Sequence, residues 1–222
     1  MSTSDPLILG FDTSAAHCAA AVVSGGRVLA HLHEDMTRGQ AERLFPLIAE
    51  VMKEAGAALA DLDALAVGTG PGNFTGLRIA VSAARGLALS LERPAIGIPS
   101  HEALAEGLPR PLLVSIDARR ERLYLQLFGR EARGPEIAAL DDVGNGWDAP
   151  GLHVTGHAAA DIAARTGAVA IEAPAPAPSV ALAALRRLAA APAATDWPRP
   201  APLYLRPADA APSSEAAPIL LP

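Results

Sequence analysis

The apolar residues from Leu7 to Phe11 form a short continuous run that stops at Asp12-Thr13-Ser14, the pattern of a buried strand followed by a turn. Two further runs, 19–24 and 27–34, flank Gly25-Gly26, a pair suited to the positive φ angles of a two-residue hairpin. The period then lengthens. Leu44, Ile48, Val51, Met52 and Ala55 lie on one stripe of a helix over 38–55, and Pro46 inside it predicts either a kink or a helix that starts just before it. A strand at 64–68, a helix carrying Leu77, Val81, Ala84 and Leu87 on one stripe up to Leu91, and a strand at 95–98 complete this part of the chain.

The opening pattern then returns more faintly. Leu112 to Asp117 is again an apolar strand ending in aspartate, 123–128 is its return arm and 136–140 a third strand. A strand near 152–155, a helix over 158–165, a strand at 168–171 and a helix over 179–191 follow. The alternation predicts an α/β protein of two lobes, each a mixed sheet with helices, the second reduced, in the manner of sugar kinases and actin-like proteins. The expected division is 1–100, 101–191 and a Pro/Ala-rich tail, 192–222, in which only 203–206 has the character to dock.

Composition narrows the role. Half of the 222 residues are hydrophobic but 4% are aromatic, so the core rests on Ala, Leu, Val and Ile. A formal net charge of −6 argues against an extended nucleic-acid surface, so any RNA would be gripped by a partner. The single cysteine, Cys18, sits in an apolar run and reads as a buried structural thiol. With no basic leader and no uninterrupted apolar stretch long enough to cross a bilayer, the expected location is the cytoplasm, away from membranes.

The candidate chemistry centres on Gly68-Thr-Gly70-Pro-Gly72-Asn73-Phe-Thr75-Gly76, between a strand and a helix. Such a loop serves either as an anion cradle at a helix start or as a tight connection, with Asn73 or Thr75 capping the helix. No lysine follows the glycines, so the Walker pattern is absent. Asp12 and Asp117 each end a first strand, where they could face a magnesium nucleotide or cap their own turns. The second turn, Asp117-Ala-Arg119-Arg-Glu-Arg122, is too bulky for a backbone cradle. The candidate anion residues are therefore Asp12, Gly70, Gly72, Asn73, Thr75, Asp117 and Arg119. Ser14 and Ser100 lack an elbow sequence, and His101 is followed four residues on by Ala105, so neither a catalytic set nor a metal site is expected. From 76 to 91 the only charges are Arg78 and Arg85, so that helix lacks a solvent face and needs cover from the core or from a partner.

Phe11-Asp-Thr-Ser14, Gly70-Pro-Gly-Asn-Phe-Thr-Gly-Leu-Arg-Ile79, Ala84-Arg-Gly-Leu-Ala88, Ser115-Ile-Asp-Ala-Arg-Arg120 and Tyr204-Leu-Arg206 together resemble the TsaB family. The likeness runs from about 7 to 128 and returns at Tyr204; where many relatives read His-Ser-Glu, this chain has Gln40-Ala-Glu42. The resemblance implies an actin-like fold and a non-catalytic subunit that supports the TsaD-like paralogue in transferring threonylcarbamoyl to an adenosine beside the anticodon of tRNA. It also implies a TsaE-like ATPase as a further partner, a homodimer when the chain is alone, contact with tRNA only through the complex, and ATP or ADP at the partner interface rather than a cofactor of its own. The implied partner face is the pair of first-lobe helices, with Leu44, Ile48, Ala80, Val81, Ala83, Ala84 and Leu87 as candidates; the sequence leaves the outward side open, with Ala84 as its first trial position and Ala80, Val81 and Ala83 beside it. A small-molecule kinase or ATPase of the same fold, or a glycoprotease-like peptidase, are the alternatives.

Overall fold

The computed structural model describes residues 5–144, 146–192 and 195–206. The first five strands are β1 (Leu7–Asp12), β2 (His17–Ser24), β3 (Arg27–Asp35), β4 (Ala64–Gly70) and β5 (Ala95–Pro99), and they form one sheet in the order β3-β2-β1-β4-β5. The β2–β3 hairpin turns on Gly25 and Gly26, with φ of 55° and 77°, and pairs Ser24 with Arg27. Strands β1 and β4 run parallel, as a crossover connection requires.

That crossover contains α1 (Gln40–Glu54), and α2 (Phe74–Leu91) links β4 to β5. Both lie on one face of the sheet, where Leu9, Phe11 and Val67 meet Leu44, Leu47, Ile48, Val51, Ala80 and Ala84 in one core. Helix α1 neither starts at Pro46 nor stops there. The proline sits exposed at its seventh residue, and only the bond its missing N–H would have given to Glu42 is lost. Asn73 caps α2, its side chain accepting the amides of Thr75 at 3.0 Å and Gly76 at 3.1 Å. By length and apolarity alone, with 18 residues and a mean hydropathy of 1.2, α2 would pass for a membrane span. In the fold its two arginines, Arg78 and Arg85, are exposed and its inner side is buried in the core of this chain.

A short helix, α3 (Ser100–Leu104), leads to the second sheet. This is built from β6 (Leu112–Asp117), β7 (Arg122–Phe128), β8 (Arg133–Ala139), β9 (His153–Gly156) and β10 (Val169–Ala170), in the order β10-β9-β6-β7-β8. Helix α4 (Ala159–Thr166) covers one face through Ile162, against Leu113, Leu125 and Val154.

The last helix, α5 (Pro176–Ala190), corrects the expected division at 101–191. It returns to the first sheet, where Val180, Ala181 and Ala184 pack with Ile8, Val23, Ala64 and Ile98 on the face opposite α1 and α2. The physical reason is that β1 and β4 are apolar on both faces, so their sheet needs a second cover. Gly10 permits the contact, since a Cβ there would fall 2.7 Å from that of Ala181. The helix also starts earlier than expected, because Pro176 suits the first helical turn. Most of the expected tail, from 207 to 222, lies outside the described residues.

Candidate functional site

The glycine-rich loop rests on the turn after β1. Thr13 Oγ1 donates to the Gly76 carbonyl at 2.7 Å and the Asn73 amide donates to the Ser14 carbonyl at 2.6 Å. A Cβ on Gly72 would lie 2.3 Å from the Ser14 oxygen, and one on Gly76 would lie 1.8 Å from that of Thr13. These glycines let two backbones touch. The amides of Asn73, Thr75 and Gly76, which a phosphate cradle would need, are already bonded within the chain.

Asp12 is buried, and its Oδ1 accepts the Ser14 amide at 2.8 Å, the Ser14 hydroxyl at 2.7 Å and His17 Nε2 at 2.8 Å. That is the turn-cap arrangement. Asp117 is exposed and accepts the Arg119 amide at 2.8 Å, with Arg119 Nε 3.8 Å from its other oxygen. Of the candidate anion residues, Gly72, Asn73, Asp117 and Arg119 do converge, on a cleft of about 690 Å³ between the lobes that is closed on one side by residues 203–206. Asp12, Gly70 and Thr75 are not among its lining residues.

A second concavity, about 740 Å³, runs between α1 and α2 on the outside of the first lobe. Leu44, Ala83 and Leu87 of the expected partner residues line it; Ile48, Ala80, Val81 and Ala84 do not. Ala84 and Ala80 are fully buried in this chain's own core, so Ala84 as the trial outward position is corrected. A helix advances 100° per residue, and with alanine on several sides the sequence did not distinguish the covered side from the open one. The open side carries Phe74, Arg78, Ser82, Gly86 and Leu89, spaced by four and three, together with Phe45 of α1. Phe45, Phe74 and Leu89 are 52%, 53% and 83% exposed, a concentration of apolar surface on one side of the helix pair. Their spacing was available in the sequence, hidden beside the stronger stripe through Leu77 and Val81.

His101 is fully buried, its Nε2 donating to the Tyr124 carbonyl at 3.1 Å, and burial pulls its pKa down to about 4. Burial likewise pushes the Cys18 thiol up to about 11, consistent with an unreactive structural group. Among the described residues, no three His, Cys, Asp or Glu side chains gather where they could hold a metal ion.

Comparison with known proteins agrees with this frame. Residues 32–210 match the family model of TsaD, tRNA N6-adenosine threonylcarbamoyltransferase. The tRNA threonylcarbamoyladenosine biosynthesis protein TsaB of Escherichia coli is 37% identical over 132 residues, a stretch covering 57% of each chain, so the match spans little more than half that relative's length. YeaZ of Pseudomonas aeruginosa superposes with a TM-score of 0.73 at 29% identity, covering 90% of this chain and all of that one. The (R)-2-hydroxyglutaryl-CoA dehydratase component A of Acidaminococcus fermentans, at 10% identity and a TM-score of 0.57 over 83% of this chain and 99% of its own, shares the fold alone.

Proposed function

The chain belongs to the TsaD family as one of its TsaB proteins, and from that membership we propose that it is a partner subunit, without a complete catalytic set of its own, in tRNA threonylcarbamoyladenosine formation. Its partner is a TsaD-like paralogue, which transfers the threonylcarbamoyl group to the N6 amine of the adenosine beside the anticodon. A TsaE-like ATPase joins the pair, tRNA is reached through the complex, ATP or ADP sits at the subunit boundary, and the chain alone forms homodimers in the cytoplasm.

The observation that carries this reading is the open side of α1 and α2, where Phe45 and Phe74 stand exposed along a groove and Leu89 stands exposed farther along α2. Exposed aromatics on two neighbouring helices are what a matching helix pair would bury. The cleft supports a non-catalytic role, because the loop amides and Asp12 are bonded to the chain itself. Phe45→Glu tests the reading by placing a carboxylate on the groove while leaving the core untouched. Titration calorimetry against the purified TsaD-like paralogue should find binding weakened at least about tenfold, with an unchanged circular dichroism spectrum. Normal pairing by the folded variant would remove α1 and α2 from the interface.

A further inference from the structure

We propose that the strap formed by residues 197–206 completes the partner face, and that Arg78, fixed by Phe74 and Tyr204, is an anchor for a carboxylate on the partner. This rests on the assignment of α1 and α2 as the partner face and adds to it a polar contact and a segment from the far end of the chain.

The strap is pinned along its length. The Pro200 carbonyl accepts Arg85 Nε at 2.7 Å, the Leu203 amide donates to the Thr69 carbonyl at 2.8 Å, and Trp197 packs against the α5 core. Tyr204 is thereby delivered to the start of α2, its ring centroid 5.4 Å from that of Phe74. Arg78 lies over the Phe74 ring at 3.8 Å and donates its Nε–H to the Tyr204 hydroxyl at 3.0 Å. Both rings stay about half exposed, 53% for Phe74 and 48% for Tyr204. Rigid half-exposed aromatics beside an arginine are the residue types that dominate binding energy at interfaces.

The ligand chemistry follows from charge and shape. Arg78 is the sole charged residue among those lining the α1–α2 groove, and among the described residues it makes no ion pair. Its plane is fixed by the ring below, and its Nε is already used by Tyr204. The two Nη groups therefore remain to offer parallel donors, a geometry that a carboxylate accepts bidentately. A phosphate has similar geometry, and on its other side Arg78 lines the interlobe cleft with Arg119, Arg206 and Asp117, but the groove itself is apolar and the chain carries a net charge of −6, which disfavours a polyanion. The expected occupant is an apolar helix face of the partner bearing one Asp or Glu level with Arg78.

The test measures affinity for the purified TsaD-like paralogue at two salt concentrations, using the full chain. Arg78→Gln should weaken binding about tenfold to a hundredfold and flatten its salt dependence. Tyr204→Phe, which keeps the ring but frees the arginine, should weaken it by a smaller factor, about threefold, and Tyr204→Ala by about tenfold. Melting temperatures of the isolated variants should stay close to that of the parent, with Arg78→Gln still decisive if Tyr204→Ala loosens the strap. Wild-type affinity for Arg78→Gln and Tyr204→Phe, with Phe45→Glu still disruptive, would overturn the anchor and leave the partner face standing. Loss of RNA binding by the assembled complex, with subunit affinity unchanged in Arg78→Gln, would overturn it in favour of a phosphate contact. If Phe45→Glu also pairs normally, the partner face itself is wrong.

Discussion

Strand for strand, the two lobes are the same sheet: β3-β2-β1-β4-β5 in the first and β8-β7-β6-β9-β10 in the second, each with an antiparallel hairpin arm and a parallel extension. What is laid on that frame differs. Between the third and fourth strands the first lobe has the 15-residue α1 and a 3-10 turn at Leu59–Asp61, where the described residues of the second have a three-residue 3-10 turn at Leu140–Asp142. The next connection holds 18 residues of helix in the first lobe and eight in the second. Helix α5, although it follows the second sheet in sequence, covers the first. The first sheet is thus covered on both faces over β1, β2 and β4 and still has an apolar helix face to spare, whereas the second has just enough helix to close one face. A common strand frame sets the fold, and the connecting helices decide how much apolar helix surface each lobe leaves exposed.

The two aspartate turns repeat the contrast. Asp12 is buried under three donors, while Asp117 is exposed and followed by Arg119, Arg120 and Glu121, all at positive φ between 53° and 62°. Non-glycine residues rarely adopt that region, so this turn holds a conformation that small residues would adopt at lower cost.

The sharpest way to break the comparison is Ala84→Glu. It puts a charge into the fully buried side of α2, with an expected loss of about 3–5 kcal/mol or outright unfolding, read by thermal melting. Ser82→Glu, two residues away on the open side, should shift stability by less than about 1 kcal/mol. Equal melting temperatures for the two would mean that the inner and outer sides of α2 have been confused.

His101, on the helix that leads from one sheet to the other, gives a pH-dependent version. Its folded pKa of about 4 lies below the ordinary value of 6.5, so between them the unfolded chain binds the proton and the folded one does not. Its contribution is intact above pH 6.5 and falls as pH drops toward 4, by about 3 kcal/mol in all. Denaturant titrations of His101→Gln across that range should show a correspondingly shallower decline. An unchanged slope would assign the acid sensitivity to other groups.

The smallest effect compares the two turns directly. Asp12→Ala strands two Ser14 donors and His17 and should lose about 2 kcal/mol, whereas Asp117→Ala should lose less than about 1 kcal/mol. Denaturant midpoints with equal slopes would measure both, and the opposite ranking would show that Asp117 holds more than its own turn.

Much of the architecture was legible because it is local. Alternating and continuous apolar runs located the strands, Gly25-Gly26 located the hairpin, and Asn73 and Thr75 marked the start of α2, where the structure chose Asn73 as the cap. The return of an Asp-terminated strand at Leu112–Asp117 announced the second lobe. One boundary moved at a proline, since Pro176 opens α5 ahead of the expected start at 179, whereas Pro46 sits within α1 as in the expected helix over 38–55.

The tertiary structure decided what periodicity leaves open. Small residues fit on the inside or the outside of a helix with little difference in local energy, so only packing against β1 and β4 set Ala80 and Ala84 inward and Ser82 and Gly86 outward. The glycines at 72 and 76 specify freedom of approach but not what approaches. It is the Thr13–Ser14 backbone, brought there by the pairing of β1 with β4, that lies where side chains at 72 and 76 would have stood. And α5 went to the first lobe because a sheet apolar on both faces leaves water only when both are covered, a requirement that belongs to the sheet and is written nowhere in the helix itself.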